Sequence, residues 1–415
     1  MRFGQTVVCN THRRYVDPDL VNSPKAPPSP AATQPWNNPK LRSFAVQLLV
    51  LILVGAFVWI VVDNTISNLQ RLNIASGFGF LENPAGFGIA LTLVEYSEQS
   101  SYGRALLVGF LNTLLVAVIG ITLATVIGFT LGVARLSSNW LVAKLATLYI
   151  EIVRNVPLLL QIFFWYFAVL RALPLPRDSV SLLDVAFLNN RGVFVPSLLL
   201  EGSGLVLLIS AIVGGAAAWM ISRFSKKRRA ETGETLKGAQ FAPLLVFVVP
   251  TLVFFVSGMG LKAEVPSLRG FGFRGGWSLI PEFVSLVLAL SIYTAAFIAE
   301  NVRSGILAVS KGQTEAARAL GLKPSPILRL VIVPQALRVI IPPLTSQYLN
   351  LTKNSSLAVA IAYPDLVSVF SGTVLNQTGQ AVEVIAITMT IYLSLSLFTS
   401  FVMNWYNRHM ALVER

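Results

Sequence analysis

Charged side chains with a regular spacing interrupt two of the long apolar runs in this chain. Glu151 and Arg154 are three residues apart, and Glu300 and Arg303 repeat that spacing. Residues three apart on a helix lie on the same face, so each pair can neutralise itself close to hydrocarbon. Two interpretations are open: a gate whose contacts change as a path opens, or static charge compensation at a helix end.

A second group of polar residues lies mainly in the apolar run 336–362. Lys353 is costly at such a position unless it faces a cavity or a partner. If this run lines a path, Lys353 or the N-terminus of a broken helix can supply a cation for an anionic group on a ligand. The alternative is a structural lysine that bonds to carbonyls or to another subunit. The candidate path residues are Gln161, Gln347, Asn350, Lys353, Asn354 and Ser355.

The residue types needed for catalysis are not grouped in this sequence. Its two histidines, His12 and His409, lie in the terminal segments, so no histidine cluster forms a metal site or a general base. The chain has no Gly-x-x-x-x-Gly-Lys-[Ser/Thr] phosphate loop, so it does not hydrolyse ATP by that route. The sequence therefore predicts no catalytic residue, no metal and no bound cofactor.

The elements that position these residues are membrane helices. Hydrophobic residues make up 54% of the 415 residues, and charged residues only 12%. Soluble domains carry about twice that charged fraction. Helices that cross about 30 Å of hydrocarbon need roughly 20 apolar residues each. Eight runs meet this requirement, near 44–62, 105–133, 146–171, 198–222, 241–260, 283–301, 336–362 and 381–406.

The net charge of +13 is distributed unevenly between the loops. With the N-terminus in the cytoplasm, the inner segments hold 21 Lys and Arg and the outer loops hold 7. This asymmetry follows the positive-inside rule and argues against nucleic acid as a partner. A phosphate-binding patch on 223–240 is the alternative for the five cations Arg223, Lys226, Lys227, Arg228 and Arg229.

The chain divides by composition. The Pro-rich segment 1–43 predicts a disordered basic cytosolic tail, and 44–62 predicts an extra N-terminal span. The spans 198–222 and 241–260 contain few polar residues and are joined by the basic loop 223–240. We interpret them as a helical pair inserted into a five-helix core. The remaining parts are an outer loop at 63–104, a membrane domain at 105–406 with an insert at about 172–282, a polar loop at 302–335 and a cytosolic end at 407–415.

The polar loop 302–335 carries a short helix of its own. Ser310 is placed to cap it, and Gly321 to supply the left-handed residue after it. Small residues leave little bulk on its surface, while Glu315 and Arg318 offer directional polar contacts. Pro334 sets the entry to the next span. The residues we expect to contact a partner are Glu315, Ala316, Ala317, Arg318, Gly321 and Pro334.

The spacing of this loop resembles the EAA loop of ATP-binding-cassette (ABC) importer permeases. Five further stretches share the resemblance: Asn112-Thr-Leu, Gly132 to Ser137, Arg154 to Gln161, Tyr293 to Arg303 and Lys353 to Leu357. The chain most resembles permeases of general L-amino-acid uptake systems, in the histidine/glutamine/glutamate class. It departs from the family where Asn155 and Asn354 replace the usual Gly and Asp, and where Val331 and Val333 replace Ile and Leu.

This resemblance implies an all-α type-1 importer permease of about eight transmembrane helices in a bacterial inner membrane, with both termini cytoplasmic. It also implies the partners: a dimer of ATPase subunits that use ATP, a second permease that is a copy or a homologue, a periplasmic amino-acid-binding protein, and membrane lipid. An ion-coupled secondary transporter is the first alternative, although no inverted repeat supports it. A membrane-embedded enzyme or sensor would need clustered acids or histidines within the spans.

Overall fold

The computed structural model describes residues 39–71, 76–201, 203–234, 238–258, 260–270 and 272–410. The chain separates into two units, residues 1–74 and 75–415. Within the first unit, α1 (Pro39–Arg71) contains the predicted extra span, and its most apolar 18 residues have a mean hydropathy of 2.8. Most of the predicted tail lies outside the described residues, and the helix begins five residues before the predicted start of the span at residue 44.

The second unit opens with an irregular segment, 76–101, and α2 (Tyr102–Ala134), whose N-terminus is capped by the Ser101 hydroxyl. A short link leads to α3 (Trp140–Asn155), where the Asn139 side chain accepts bonds from two backbone amides. The helix α4 (Leu158–Phe163) follows and continues into a wide π-helical turn at Phe164–Leu170.

The third predicted span, 146–171, is not one continuous helix. Its two parts are bent by 106° at a break before Pro157. A residue that precedes proline is disfavoured in helical geometry, and Val156 is extended there. The Gln161 amide donates to the carbonyls of Val153 and Val156, at 2.9 Å each, and so satisfies two acceptors freed by the break.

The insert contains strands as well as the predicted helical pair. Before the pair come β1 (Val180–Leu182), β2 (Ala186–Asn189), β3 (Gly192–Val195) and β4 (Ser197–Glu201). The pair itself is α5 (Gly204–Thr232) and α6 (Leu245–Val256). After it come β5 (Gly260–Glu264), β6 (Ser267–Arg269), β7 (Gly272–Arg274) and β8 (Trp277–Leu279).

Antiparallel pairing joins the two ends of the insert. Four strands form a sheet in the order β1-β2-β3-β8, and the register places Val193 opposite Leu279. The pair β4–β5 closes the base of the α5–α6 hairpin, with Ser197 opposite Glu264. The hairpin therefore leaves from and returns to the same side of the molecule, which also holds the start of the following helix.

The rest of the core follows the insert. It comprises α7 (Pro281–Leu307), α8 (Lys311–Ala319), α9 (Pro324–Ile327), α10 (Val333–Asn354), α11 (Leu375–Thr378) and α12 (Ala381–Met410). In the described part of the chain, seven helices are long and apolar enough to cross a membrane, and the bent pair is a candidate eighth. The predicted all-α membrane fold is confirmed, with the small sheets as an addition to it.

The most buried helix is α7, whose central residues Ala295, Ala296 and Ile298 are fully buried. It packs along α2 at a pair of glycines. A Cβ at Gly128 would lie 2.6 Å from the Ile298 Cβ, and a Cβ at Gly132 would lie 2.7 Å from the Ala299 carbonyl oxygen. Small residues at these two positions let the backbones of α2 and α7 approach closely.

Two opposite faces of the second unit can now be named. We call the side with the strands and the start of α7 the sheet face. The side where α7 ends and α8 begins is the coupling face. The helix α5 begins on the sheet face, since it follows directly after β4.

Candidate functional site

The loop on the coupling face has the predicted helix and the predicted end. After α8, the Gly321 amide donates to the Arg318 carbonyl (2.9 Å), and the Leu322 amide donates to the Ala317 carbonyl (3.2 Å). Gly321 has φ of +75°, and these two bonds form a Schellman motif. Ser310 occupies the cap position, but the predicted side-chain capping bond is not formed.

The outward surface of this loop is mixed in polarity. Glu315, Ala316 and Arg318 are exposed, and Leu320 is 81% exposed. Ala317 is instead buried and anchors the helix to the rest of the loop. The exposed surface of α8 and its C-terminal end thus combines charged, small and apolar side chains.

The segment that follows returns the chain to the core. Ile327 is buried, whereas Leu328 and Leu330 are more than half exposed. A π-helical turn at Leu328–Ile332 leads into α10, and Pro334 lies in the first turn of that helix, as predicted. Proline is tolerated there because the first amides of a helix have no intrahelical partner.

Glu300 is the centre of a charge network near the coupling-face end of α7. The Arg303 guanidinium donates to Glu300 Oε1 at 2.7 and 3.1 Å, so the predicted pair is formed. Arg135, at the end of α2, donates to the other carboxylate oxygen. Sequence reasoning included Arg135 in a stretch that carries the family resemblance, but did not pair it with Glu300, which is 165 positions away.

The matching pair on α3 is not formed, so the predicted symmetry is wrong. Arg154 instead lies over the Phe297 ring of α7, with its guanidinium carbon 5.1 Å from the ring centroid. Glu151 is exposed and has no ion pair among the described residues. The reason is tertiary: α3 packs against α7 and brings an aromatic face within reach of Arg154.

The candidate path residues are dispersed. Lys353 is exposed and lines a cavity of about 420 Å³ together with Ser356 and Tyr392. The Ser355 hydroxyl donates within its own helix end, to the Thr352 carbonyl. Gln161 lies at the break described above. Three others lie along α10 with different exposure: Gln347 and Asn354 are half-buried and Asn350 is exposed.

A buried carboxyl that the sequence did not single out lies behind this cavity. Asp365 is fully buried, accepts a bond from the Ser368 amide (2.8 Å), and accepts a longer one from the Tyr392 hydroxyl (3.3 Å). Burial raises the pKa of Asp365 to about 7. Asp365 lies two residues after the Ala362–Tyr363 turn, in a segment without helical or strand periodicity. The sequence pattern therefore gave no sign that this carboxyl is buried.

Asn112 ties this segment to α2. Its amide nitrogen donates to the carbonyls of Leu91 and Pro364, at 2.9 Å each. The neighbouring Thr113 hydroxyl accepts a bond from the Leu366 amide. Both residues belong to the stretch that carried the family resemblance, and here they join three distant segments in the core.

The polytopic helical core, with a polar loop on its coupling face, has the architecture of a multi-span membrane protein. A family model for the inner membrane component of binding-protein-dependent transport systems matches residues 238–412. Three relatives extend the match over nearly the whole chain.

The putative amino-acid ABC transporter permease YhdX of Escherichia coli (strain K12) is 55% identical, covering 91% of this chain and 96% of that protein. The general L-amino acid transport system permease AapQ of Rhizobium johnstonii is also 55% identical, covering 91% and 94%. The glutamate/glutamine/aspartate/asparagine transport system permease BztB of Rhodobacter capsulatus is 42% identical, covering 91% and 95%. This chain belongs to the family of amino-acid ABC transporter permeases. The ion-coupled alternative has no support.

Proposed function

We propose that this chain is the non-catalytic permease of an importer for polar L-amino acids, with a broad range of substrates. Two relatives, a general L-amino acid permease and a permease for glutamate, glutamine, aspartate and asparagine, support this substrate class. Lys353 supplies the cation for the substrate carboxylate. A separate subunit hydrolyses ATP, and both termini lie in the cytoplasm.

The observation that carries the proposal is the coupling face. Its loop ends in a rigid Schellman turn, and Leu320 projects from it with 81% of its surface exposed. Because α8 follows α7 after only three residues, a displacement of α8 acts directly on the most buried helix. A dimer of ATPases docks here and drives the change of state only if it binds the two permease states with different affinities.

Two further partners complete the proposed assembly. A second permease, either a copy or a homologue, forms the other half of the path. A periplasmic binding protein delivers the amino acid at the opposite end. The charge network at Glu300 lies next to the coupling loop and holds the ends of α2 and α7 together as the ATPase moves.

The test is affinity purification of the tagged full chain in mild detergent, with quantitative mass spectrometry of its partners. The substitution Leu320→Asn removes one exposed apolar contact, and we expect about tenfold less co-purified ATPase. Leu183→Asn is the matched control, because Leu183 is 86% exposed on the sheet face. Recovery of a folded chain without any ATPase would refute the proposal. The mass spectrum also distinguishes a homodimer from a heterodimer.

A further inference from the structure

The C-terminal end of α5 carries an unusual density of cations. Five of the seven residues from 223 to 229 are Lys or Arg, and all five are exposed. Lys227 forms a loose ion pair with Glu231 (3.8 Å), and Arg223 lies over the Trp219 ring at 5.0 Å. Within the described residues, Lys226, Arg228 and Arg229 have no acidic partner.

The depth of these cations follows from the helix itself. The apolar part of α5, from Gly204 to Ser222, is about 28 Å long at 1.5 Å per residue, which matches the thickness of the hydrocarbon core. Since Gly204 follows directly on β4 at the sheet face, Arg223 lies at the opposite edge of the hydrocarbon. The basic residues then occupy the next 9 Å or so, about the depth of the headgroup layer.

Their angular distribution excludes a single contact face. At roughly 100° per residue, the five cations lie near 0°, 300°, 40°, 140° and 240° around the helix axis. A protein partner approaching from one side would contact a stripe and would leave several of these charges unused. A shell of lipid headgroups surrounds the helix and reaches all of them.

We propose that residues Arg223 to Arg229 of α5 bind the headgroups of anionic phospholipids on the coupling face. The ligand chemistry is a phosphodiester, contacted by guanidinium and ammonium donors. Trp219 and Phe224, both about 60% exposed, flank the basic turns and anchor the helix at the interface. The helix ends at Gly233, which is left-handed, so the basic turns stay helical up to their end.

This site holds the inserted hairpin at a defined depth. The hairpin is tightly packed within itself, since a Cβ at Gly214 would lie 2.3 Å from the Leu245 carbonyl oxygen. Its main connection to the rest of the second unit is through the strands on the sheet face. Lipid contacts at the other end provide the second attachment point. The inference rests on the structure of the insert and not on the proposed substrate.

The test uses the purified full chain in nanodiscs made of equal parts phosphatidylglycerol and phosphatidylcholine. Native mass spectrometry of the extracted protein counts the retained lipids of each class. We expect retained phosphatidylglycerol to exceed phosphatidylcholine severalfold, and to fall as salt shortens the screening length. Glutamine at all five basic positions should lower the ratio of retained phosphatidylglycerol to retained phosphatidylcholine to the ratio in the bilayer.

Two matched variants isolate the effect of position. Five cations of the same insert on the sheet face are replaced by glutamine as the control: Arg177, Arg191, Lys262, Arg269 and Arg274. This control removes equal charge and should keep most of the enrichment. The double variant K226Q/K227Q leaves the Arg223–Trp219 contact in place, and should show a partial loss even if the fivefold variant folds poorly.

Three outcomes would overturn the proposal. The first is equal phosphatidylglycerol retention by the wild type and both basic-turn variants. The second is displacement of lipid by inorganic phosphate beyond that caused by sodium chloride at equal ionic strength, which would assign the site to free phosphate. The third is unchanged lipid retention together with loss of co-purified ATPase, which would assign these cations to the ATPase surface.

Discussion

Gly132 and Val302 approach so closely that a Cβ on residue 132 would lie 2.7 Å from the Val302 Cβ. This contact is part of the line along which α2 packs on α7, and it lies one turn before the ion pair between Arg135 and Glu300. Close backbone contact and a charge contact thus hold the same two helix ends. We infer that α2 and α7 move as one body, and that the charge network is a brace between them.

Replacing Gly132 by alanine should therefore destabilise the protein. The added methyl group meets backbone and a β-branched side chain, neither of which can move aside cheaply, so we expect a cost of about 1–3 kcal/mol. The apparent melting temperature in detergent measures it. Gly215→Ala is the control, because its Cβ would meet only one atom, at 3.9 Å. Equal melting temperatures for both variants would contradict the packing argument.

Substituting Glu300 by glutamine should weaken the link between α2 and α7. Arg135 and Arg303 would then lie near each other without their shared anion. We expect the free energy of unfolding to fall by about 2 kcal/mol, which is less than for a fully buried charge network because the three side chains are partly exposed. Amino-acid uptake should fall with it. Glu151→Gln, which changes the unpaired member of the sequence-related motif, should have little effect. A strong effect at Glu151 would restore the symmetric gate hypothesis.

Gly321→Val should abolish uptake while the protein still inserts into the membrane. Valine is strained at φ of +75°, so the Schellman turn opens and Leu320 is no longer presented in one position. No atom lies within 4 Å of the added Cβ, so steric clash is not the cause. Gly312→Ala, in the first turn of α8, is the control and should be tolerated. Uptake by the Gly321 variant at the wild-type rate would count against the coupling loop.

Lys353 should affect substrate binding more than turnover. Replacing it by glutamine removes the proposed partner of the substrate carboxylate, and we expect an increase in KM of about tenfold or more. Lys353→Arg keeps the cation and should retain most of the affinity. Initial rates of labelled amino-acid uptake across a concentration series give the KM and the maximal rate of each variant. An unchanged KM for the glutamine variant would assign Lys353 to a structural role.

Asp365 should make stability depend on pH. Burial raises its pKa from 3.8 to about 7, so the folded state favours the neutral carboxyl. Its contribution to stability is full below pH 4 and is lost as the pH rises toward 7. The apparent melting temperature should therefore decrease over this window. The Tyr392 hydroxyl donates to this carboxyl and is its titratable neighbour within hydrogen-bond distance.

Asp365→Asn should flatten this profile and raise the melting temperature at pH 8, since asparagine carries no charge to desolvate. Asp178→Asn, at an exposed position on the sheet face, should leave the profile unchanged. An identical pH dependence in the wild type and the Asp365 variant would mean that another group is responsible.

Features set by neighbouring residues could be read from the sequence. The apolar runs, the left-handed residue after α8 and the Glu300–Arg303 pair all depend on residues within a few positions of one another. Composition and helical spacing determine such features before any long-range contact forms. The spacing in the 302–335 loop was sufficient for the family resemblance, which the relatives confirmed.

Contacts between residues that are far apart in the chain were decided only by the tertiary structure. The sequence does not show that Glu300 reaches Arg135, that Arg154 lies over Phe297, or that β3 pairs with β8 across the inserted hairpin. The burial of Asp365 likewise depends on segments from α2 and α12. Each such contact is fixed by how several helices pack at once, and a single sequence carries no local signal of that packing.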